Sequence, residues 1–155
     1  MKLGEALALR ADLQKRMHQL QALLQENASV QEGDQPAVNP RVLLEEYREI
    51  VDQHELLVRR IERTNLGTRL TRGDEALTLA DAVVRRERLA READMLRDVA
   101  RRAIPKQSRW TRSEIKQVPA VDVADVLSEA DRLSKAHREL DTRMQQRNWE
   151  AELVE

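Results

Sequence analysis

The three histidines are the residues of this 155-residue chain most suited to binding a metal ion, but their spacing does not fit a metal site. A di-metal site in a helical bundle uses Glu three residues before His on facing helices. The positions three residues before His18, His54 and His137 hold Lys, Val and Ser instead. The motif His-Glu-x-x-His is absent as well, so the sequence predicts no metal site.

Nucleophile and phosphate-binding patterns are also missing from the sequence. The chain has no cysteine, which excludes thiolate catalysis and a disulfide framework. It has four glycines and no Gly-rich phosphate loop or nucleophile elbow. Glu45 and Glu46 are adjacent, and neighbours in a helix do not face each other. We therefore expect no enzyme, with no catalytic residues and no cofactor.

Four polar residues interrupt rows of apolar residues that recur every three or four positions: Arg10, His54, Arg86 and His137. Burying a charge without a partner is costly, so each of them needs a partner. One interpretation is a paired polar layer that fixes helix register or oligomeric state. The other is a pocket for an anionic ligand at a bundle interface. The first interpretation is the one we favour.

A second candidate site is the basic stretch 101–116, in which Arg109, Trp110, Arg112 and Lys116 combine cations with an aromatic ring. Single-stranded nucleic acids bind to such combinations, because bases stack on aromatic rings while cations meet phosphates. A lone tryptophan fits a packing anchor better, since nucleic-acid platforms usually carry several aromatic rings. Nucleic-acid binding is therefore an alternative that we do not favour.

The charges of the chain are unevenly distributed. Residues 1–58 carry a net charge of −4, residues 59–120 carry +7 and residues 121–155 carry −4, for a total of −1. The basic middle either packs against the acidic ends, within a chain or between chains, or binds a polyanion. The balanced total favours packing.

The elements that must position these residues are helices. Ala, Glu, Lys, Leu and Arg make up just over half of the chain, which is typical of long helices and coiled coils. Apolar residues at spacings of three and four predict helical segments. The predicted segments are 3–29, 40–63, 79–103 and 122–152.

Two stretches break the helical pattern. Residues 64–78 predict a β-hairpin with Gly73 in its turn, and residues 108–118 predict a strand that joins it. Asn39, Thr78 and Asp122 are predicted N-caps of the helices that follow them. The fold class is therefore mainly α: an antiparallel, coiled-coil-like bundle of four long helices with a small β-insert, in one domain over residues 1–155.

Several stretches together resemble a family of largely uncharacterised bacterial helical proteins labelled septicolysin-like. They are EALALRADLQKRMHQL, VQEGDQP, RTNLGTRL, RSEIKQVPAVDVADV and ELDTRMQQRNWEAEL, and they cover nearly the whole chain. The resemblance implies a small helical protein. Its label implies a membrane-active cytolysin, and it supplies no binding or catalytic residues.

The residues themselves favour a non-enzymatic, self-associating helical protein with an interaction or scaffolding role. The second helical segment has an extra apolar row, Leu44, Val51 and Val58, beside its main one, which indicates burial on two sides. We therefore expect a homo-oligomer built from dimers. No apolar run approaches the roughly 18 residues of a membrane span, and we expect a soluble, cytoplasmic protein.

Overall fold

The computed structural model of the chain describes residues 1–72, 75–104 and 117–155. Within these ranges there are four helices, of 24, 28, 25 and 28 residues, and one two-stranded antiparallel sheet. In chain order the elements are α1 (Leu3–Glu26), α2 (Pro40–Gly67), β1 (Arg69–Arg72), β2 (Glu75–Thr78), α3 (Leu79–Ala103) and α4 (Val123–Glu150). The prediction of a mainly helical fold with a small β-hairpin is confirmed.

The chain divides into two compact units. The first contains Met1–Arg69 and Gln145–Glu155, and the second contains Leu70–Met144. The prediction of a single domain over 1–155 stays a prediction.

In the first unit, α1 and α2 pack against each other as an antiparallel pair along their apolar rows. Residues from the predicted rows form the core of this pair: Leu3, Ala6, Leu13, Leu20, Leu43, Leu57 and Ile61. Arg16 of α1 pairs with Glu46 of α2, and its Nε lies 2.9 Å from the Glu46 Oε1. This contact defines the register of the pair, because it places the turn of α1 at Arg16 beside the turn of α2 at Glu46.

The tail after α4 (residues 151–155) holds the start of α1 and the end of α2 together. The Leu3 N–H donates to the Ala151 carbonyl at 2.9 Å. The Val154 N–H donates to the hydroxyl of Thr64 at 3.0 Å, and that threonine is only 1% exposed. The tail is therefore part of the core of the first unit.

The Trp149 indole rests on the backbone of α1 at Gly4. A Cβ added at this glycine would lie 2.9 Å from the Trp149 Cδ2 and 3.0 Å from its Cε3, closer than side chains normally approach. The glycine is buried, whereas the tryptophan is 61% exposed. Glycine is needed here because the ring occupies the place of a side chain.

In the second unit, α3 and the part of α4 that it contains run antiparallel. Arg86 of α3 contacts Asp141 of α4 at 2.8 Å, and Arg97 donates to the Ser134 hydroxyl at 2.5 Å. Small residues, Ala93 and Ala100 among them, are buried along α3. Because their side chains are small, these alanines leave room for a neighbouring element to approach closely.

The three predicted N-caps are confirmed. The Asn39 side chain accepts from the Arg41 N–H at 3.0 Å, and the Thr78 hydroxyl accepts from the Asp81 N–H at 3.0 Å. The Asp122 carboxylate accepts a backbone N–H two residues later at 2.9 Å. Each side chain satisfies a donor that has no partner within its helix.

Two predicted boundaries are wrong. The first helix ends at Glu26 rather than at residue 29, because the Asn27 side chain donates to the Leu23 carbonyl at 2.9 Å and closes the last turn. The hairpin does not begin at residue 64. There α2 continues to Gly67, and the Thr64 hydroxyl donates to the carbonyl one turn earlier at 2.7 Å.

The hairpin itself has strands at Arg69–Arg72 and Glu75–Thr78. Of the strand predicted at 108–118, residues 108–116 lie outside the described residues.

Candidate functional site

The first pair of candidate residues, Arg10 and His54, lies in the seam between α1 and α2. Arg10 precedes Arg16 by six residues and His54 follows Glu46 by eight, so the antiparallel register places them at about the same level. Both side chains are half-buried. Within the described residues, the Arg10 Nε and the His54 Nε2 are buried and have no hydrogen-bond partner. The seam therefore contains one polar layer with unfulfilled hydrogen-bonding capacity.

The third candidate, Arg86, has a partner. It forms the ion pair with Asp141 from α3 to α4, and the two side chains are 34% and 30% exposed. About three turns further along α3, Arg97 bridges to Ser134 of α4 and also contacts Asp94 at 3.4 Å. These contacts hold two antiparallel helices at one register. Whether register is their role stays a prediction.

The fourth candidate, His137, is half-buried on α4 and lies in a different unit from His54. It lines a pocket of about 280 Å³ together with Ala90 and Ala93. Arg97 also lines this pocket, but its guanidinium is already bound to Ser134. Arg10 and His54 therefore belong to the first unit, and Arg86 and His137 belong to the second.

The candidate nucleic-acid contacts Arg109, Trp110, Arg112 and Lys116 all lie outside the described residues. The described part of the stretch 101–116 contains Arg101 and Arg102 at the end of α3, both exposed. Arg101 contacts Asp98 at 2.7 Å, one turn earlier on the same helix. Nucleic-acid binding by this stretch stays a prediction.

The structure places a regular row of exposed residues on the side of α2 away from its buried seam. We call this row the outer stripe. Its eight members recur at alternating spacings of three and four, and all are exposed: Val42, Glu45, Glu49, Asp52, Leu56, Arg59, Arg63 and Leu66. Val42, Leu56 and Leu66 are 56%, 62% and 65% exposed. The outer stripe thus has heptad spacing without a partner helix among the described residues.

Sequence reasoning missed the outer stripe because five of its eight members are charged. The apolar row predicted for burial beside the main seam, Leu44, Val51 and Val58, is a different face. Leu44 is 41% exposed, and the two valines are half-buried. The signal for the outer stripe was the regular spacing itself, read without regard to residue type.

Two carboxyl groups have shifted pKa values, and both shifts come from local contacts. Hydrogen bonds from the side chain and backbone of Thr78 lower the pKa of Asp81 at the start of α3. A hydrogen bond from Lys2 lowers the pKa of Glu152 in the tail. Both carboxylates favour their charged form, which suits a helix cap and a surface ion pair rather than proton transfer.

Among the described residues, no three His, Asp or Glu side chains lie close enough together to hold a metal ion. None of the helices within those ranges has a stretch long and apolar enough to cross a membrane. The cytoplasmic location stays a prediction.

Comparison with known proteins shows which family the chain belongs to. Residues 10–153 match the model of a family described as "Family of unknown function (DUF6847)". The chain belongs to this family. It is also similar to a functionally unknown conserved protein from Corynebacterium diphtheriae, whose crystal structure is solved. The two chains are 42% identical over 99% of each, with a TM-score of 0.90. A comparison with curated proteins finds no match.

These findings correct one prediction. The resemblance to septicolysin-like proteins is wrong, because the family that matches is one of unknown function and its structural relative has no stated link to a cytolysin. Two of the stretches that suggested it, EALALRADLQKRMHQL and ELDTRMQQRNWEAEL, lie almost wholly in amphipathic helices rich in charged residues, a composition that unrelated helical proteins share. The membrane-active alternative depended on that label and falls with it.

Proposed function

We propose that the protein is a non-enzymatic interaction protein that associates with a second copy of itself. One observation carries this proposal: large apolar side chains within the helices are left in water. On α2, Leu56 and Leu66 are 62% and 65% exposed, and on α3, Val84 and Met95 are 69% and 64% exposed. Single exposed apolar residues are ordinary, but repeated ones on helix faces suggest interaction surfaces.

The charge pattern supports a second copy as the partner. The acidic stretch 1–58 and the basic stretch 59–120 belong to one chain, so two copies related by a two-fold axis can offer each other opposite charges. A different partner protein would need a complementary distribution of charge on its own surface. A second copy of this chain has both an acidic and a basic stretch.

The non-enzymatic part of the proposal is supported by the sequence and the site together. The candidate polar residues are divided between two units, and the contacts of Arg86 and Arg97 link one helix to the next. Such contacts suit a rigid scaffold that presents its outer faces.

Sedimentation velocity across a concentration series tests this proposal. We expect a species of about 36 kDa, twice the chain mass of 17.9 kDa. Its fraction should increase as the protein concentration rises through the micromolar range. A mass that stays at 17.9 kDa up to hundreds of micromolar protein would refute self-association.

A further inference from the structure

We propose that the outer stripe of α2 is the dimer interface, and that it pairs with the same stripe of a second copy in an antiparallel register. This inference rests on the proposed self-association and names the surface that performs it. It starts from the spacing: positions three and four residues apart lie on one face of a helix, and two such faces pack as a coiled coil. The stripe spans the 25 residues from Val42 to Leu66, or about 36 Å of helix.

The order of residues along the stripe makes it complementary to itself. Its first half contains Glu45, Glu49 and Asp52, and its second half contains Arg59 and Arg63. When two copies are laid antiparallel about their common centre, each acidic half faces a basic half. The facing pairs are Val42 with Leu66, Glu45 with Arg63, Glu49 with Arg59, and Asp52 with Leu56.

This pairing has the symmetry of a two-fold dimer, in which one patch contacts its own copy. Each of the four pairs occurs twice across the interface. Apolar pairs of Val42 and Leu66 close both ends, and the two copies of Leu56 lie on either side of the centre. A parallel arrangement would instead set Glu45 against Glu45 and Arg63 against Arg63, which like charges oppose.

The helix dipole alone does not account for the pattern. Acidic residues near a helix start and basic residues near its end are favourable, but this effect fades within the first and last turn. Glu49 and Asp52 lie nine and twelve residues after Pro40, and Arg59 lies eight residues before Gly67. The dipole also gives no reason for exposed Leu56.

Existing contacts leave the stripe free to pair. Arg59 contacts Glu55 of its own helix at 2.6 Å, and both side chains are more than half exposed. Exposed pairs of this kind contribute little, so Arg59 can turn to a second carboxylate at small cost. With only three apolar residues per copy, the dimer is expected to be weak and to dissociate more readily at high salt.

Charge inversion in two halves tests the pairing. Glu45→Arg with Glu49→Arg leaves Asp52 as the one acidic residue of a stripe that is otherwise basic or apolar. Arg59→Glu with Arg63→Glu makes every charged residue of the stripe acidic. Each double variant alone sets like charges against each other at four pairs. The dissociation constant of its homodimer should therefore rise by about 100-fold or more. An equimolar mixture should form a heterodimer, because all four pairs are then opposite. The variant with all four changes should regain the homodimer.

A cysteine pair gives a second measurement that leaves the charges unchanged. The chain has no cysteine, so introduced thiols have no competitors. Val42→Cys mixed with Leu66→Cys should give a disulfide-linked dimer under oxidation, whereas each variant alone should give little. This pattern is specific to the antiparallel register, and it applies even if a charge variant fails to fold.

The outcomes separate this inference from the proposed function. Heterodimers of the basic and acidic variants together with the mixed disulfide support the antiparallel stripe. A wild-type dimer whose affinity is unchanged by charge inversion overturns the stripe but leaves self-association standing. A wild-type monomer at every concentration overturns both.

Discussion

Replacing Gly4 by Ala should destabilise the first unit, because the new methyl group would overlap the indole of Trp149. The added Cβ would lie 2.9 to 3.1 Å from three carbons of the ring. The indole is 61% exposed, so it can swing outward to relieve the overlap. We therefore expect the indole to be displaced from its contact with α1, while the helix itself stays folded.

The magnitude follows from the area that the ring now buries. At 61% exposure, the side chain keeps about 100 Å² out of water, from roughly 250 Å² for a whole tryptophan. At about 25 cal/mol per Å², displacing it loses about 2.5 kcal/mol. Alanine gains at most about 1 kcal/mol over glycine within a helix. The free energy of unfolding should fall by about 1.5 kcal/mol.

Chemical denaturation followed by far-UV circular dichroism measures this change. Trp110→Phe in the background leaves one tryptophan, so a red shift of its fluorescence reports the displaced ring of Trp149. A matched control is Gly67→Ala, since a Cβ there has no atom within 4 Å. That control should be neutral or slightly stabilising.

The change in the free energy of unfolding caused by Gly4→Ala should reverse its sign when Trp149 is absent. With Trp149→Ala already present, Gly4→Ala removes no packing and should stabilise the protein by up to about 1 kcal/mol. The two changes should therefore be coupled by about 2.5 kcal/mol in a double-mutant cycle. If Gly4→Ala destabilises equally in both backgrounds, the contact between the ring and Gly4 is not the cause.

Three further changes test other parts of the structure. Thr64→Val leaves the Val154 N–H of the tail without its acceptor and should cost about 0.5 to 1.5 kcal/mol with faster amide exchange in the tail, whereas Thr64→Ser should not. Arg10→Leu with His54→Leu removes two buried nitrogens that have no partner in the described residues, so the denaturation midpoint should rise; a fall would mean that these groups are paired. Thr78→Ala should raise the lowered pKa of Asp81 part of the way towards its ordinary range, because the side-chain hydrogen bond is lost while the backbone N–H at position 78 remains; a carboxyl NMR titration measures this. Because the folded-state pKa is depressed, its stabilising effect is present above the unfolded pKa, is lost as pH falls through the folded pKa, and should be smaller in the variant.

Sequence reasoning predicted most of the helices because their signals are local. Asn39 with Pro40 and Thr78 with Asp81 fix where α2 and α3 begin, and both starts are as predicted. The end of α2 was harder to predict, because Thr64 and its neighbours are indifferent helix formers. There a buried threonine holding the tail extends the helix, and only the folded chain brings the tail near.

The candidate site was less predictable for the same reason. Arg10 and His54 interrupt two apolar rows, and that pattern identified both residues. The sequence could not say that Arg86 has Asp141 as its partner, since the ion pair joins residues 55 positions apart. The contact between the Trp149 indole and Gly4 joins residues that are still further apart in the sequence, and no local pattern indicates it.

The position of the tail has a consequence for how the chain acquires its structure during synthesis. The α1–α2 pair leaves the ribosome early, yet the tail that completes the core at Leu3 and Thr64 is made only after the whole of the second unit. At about 5 to 20 residues per second, the stretch between Arg69 and Gln145 alone delays that completion by roughly 4 to 15 seconds. During this interval the α1–α2 pair lacks Ala151 and Leu153, which are buried in the folded unit. The first unit therefore cannot be completed until the second unit has been synthesised, although most of its residues are made first.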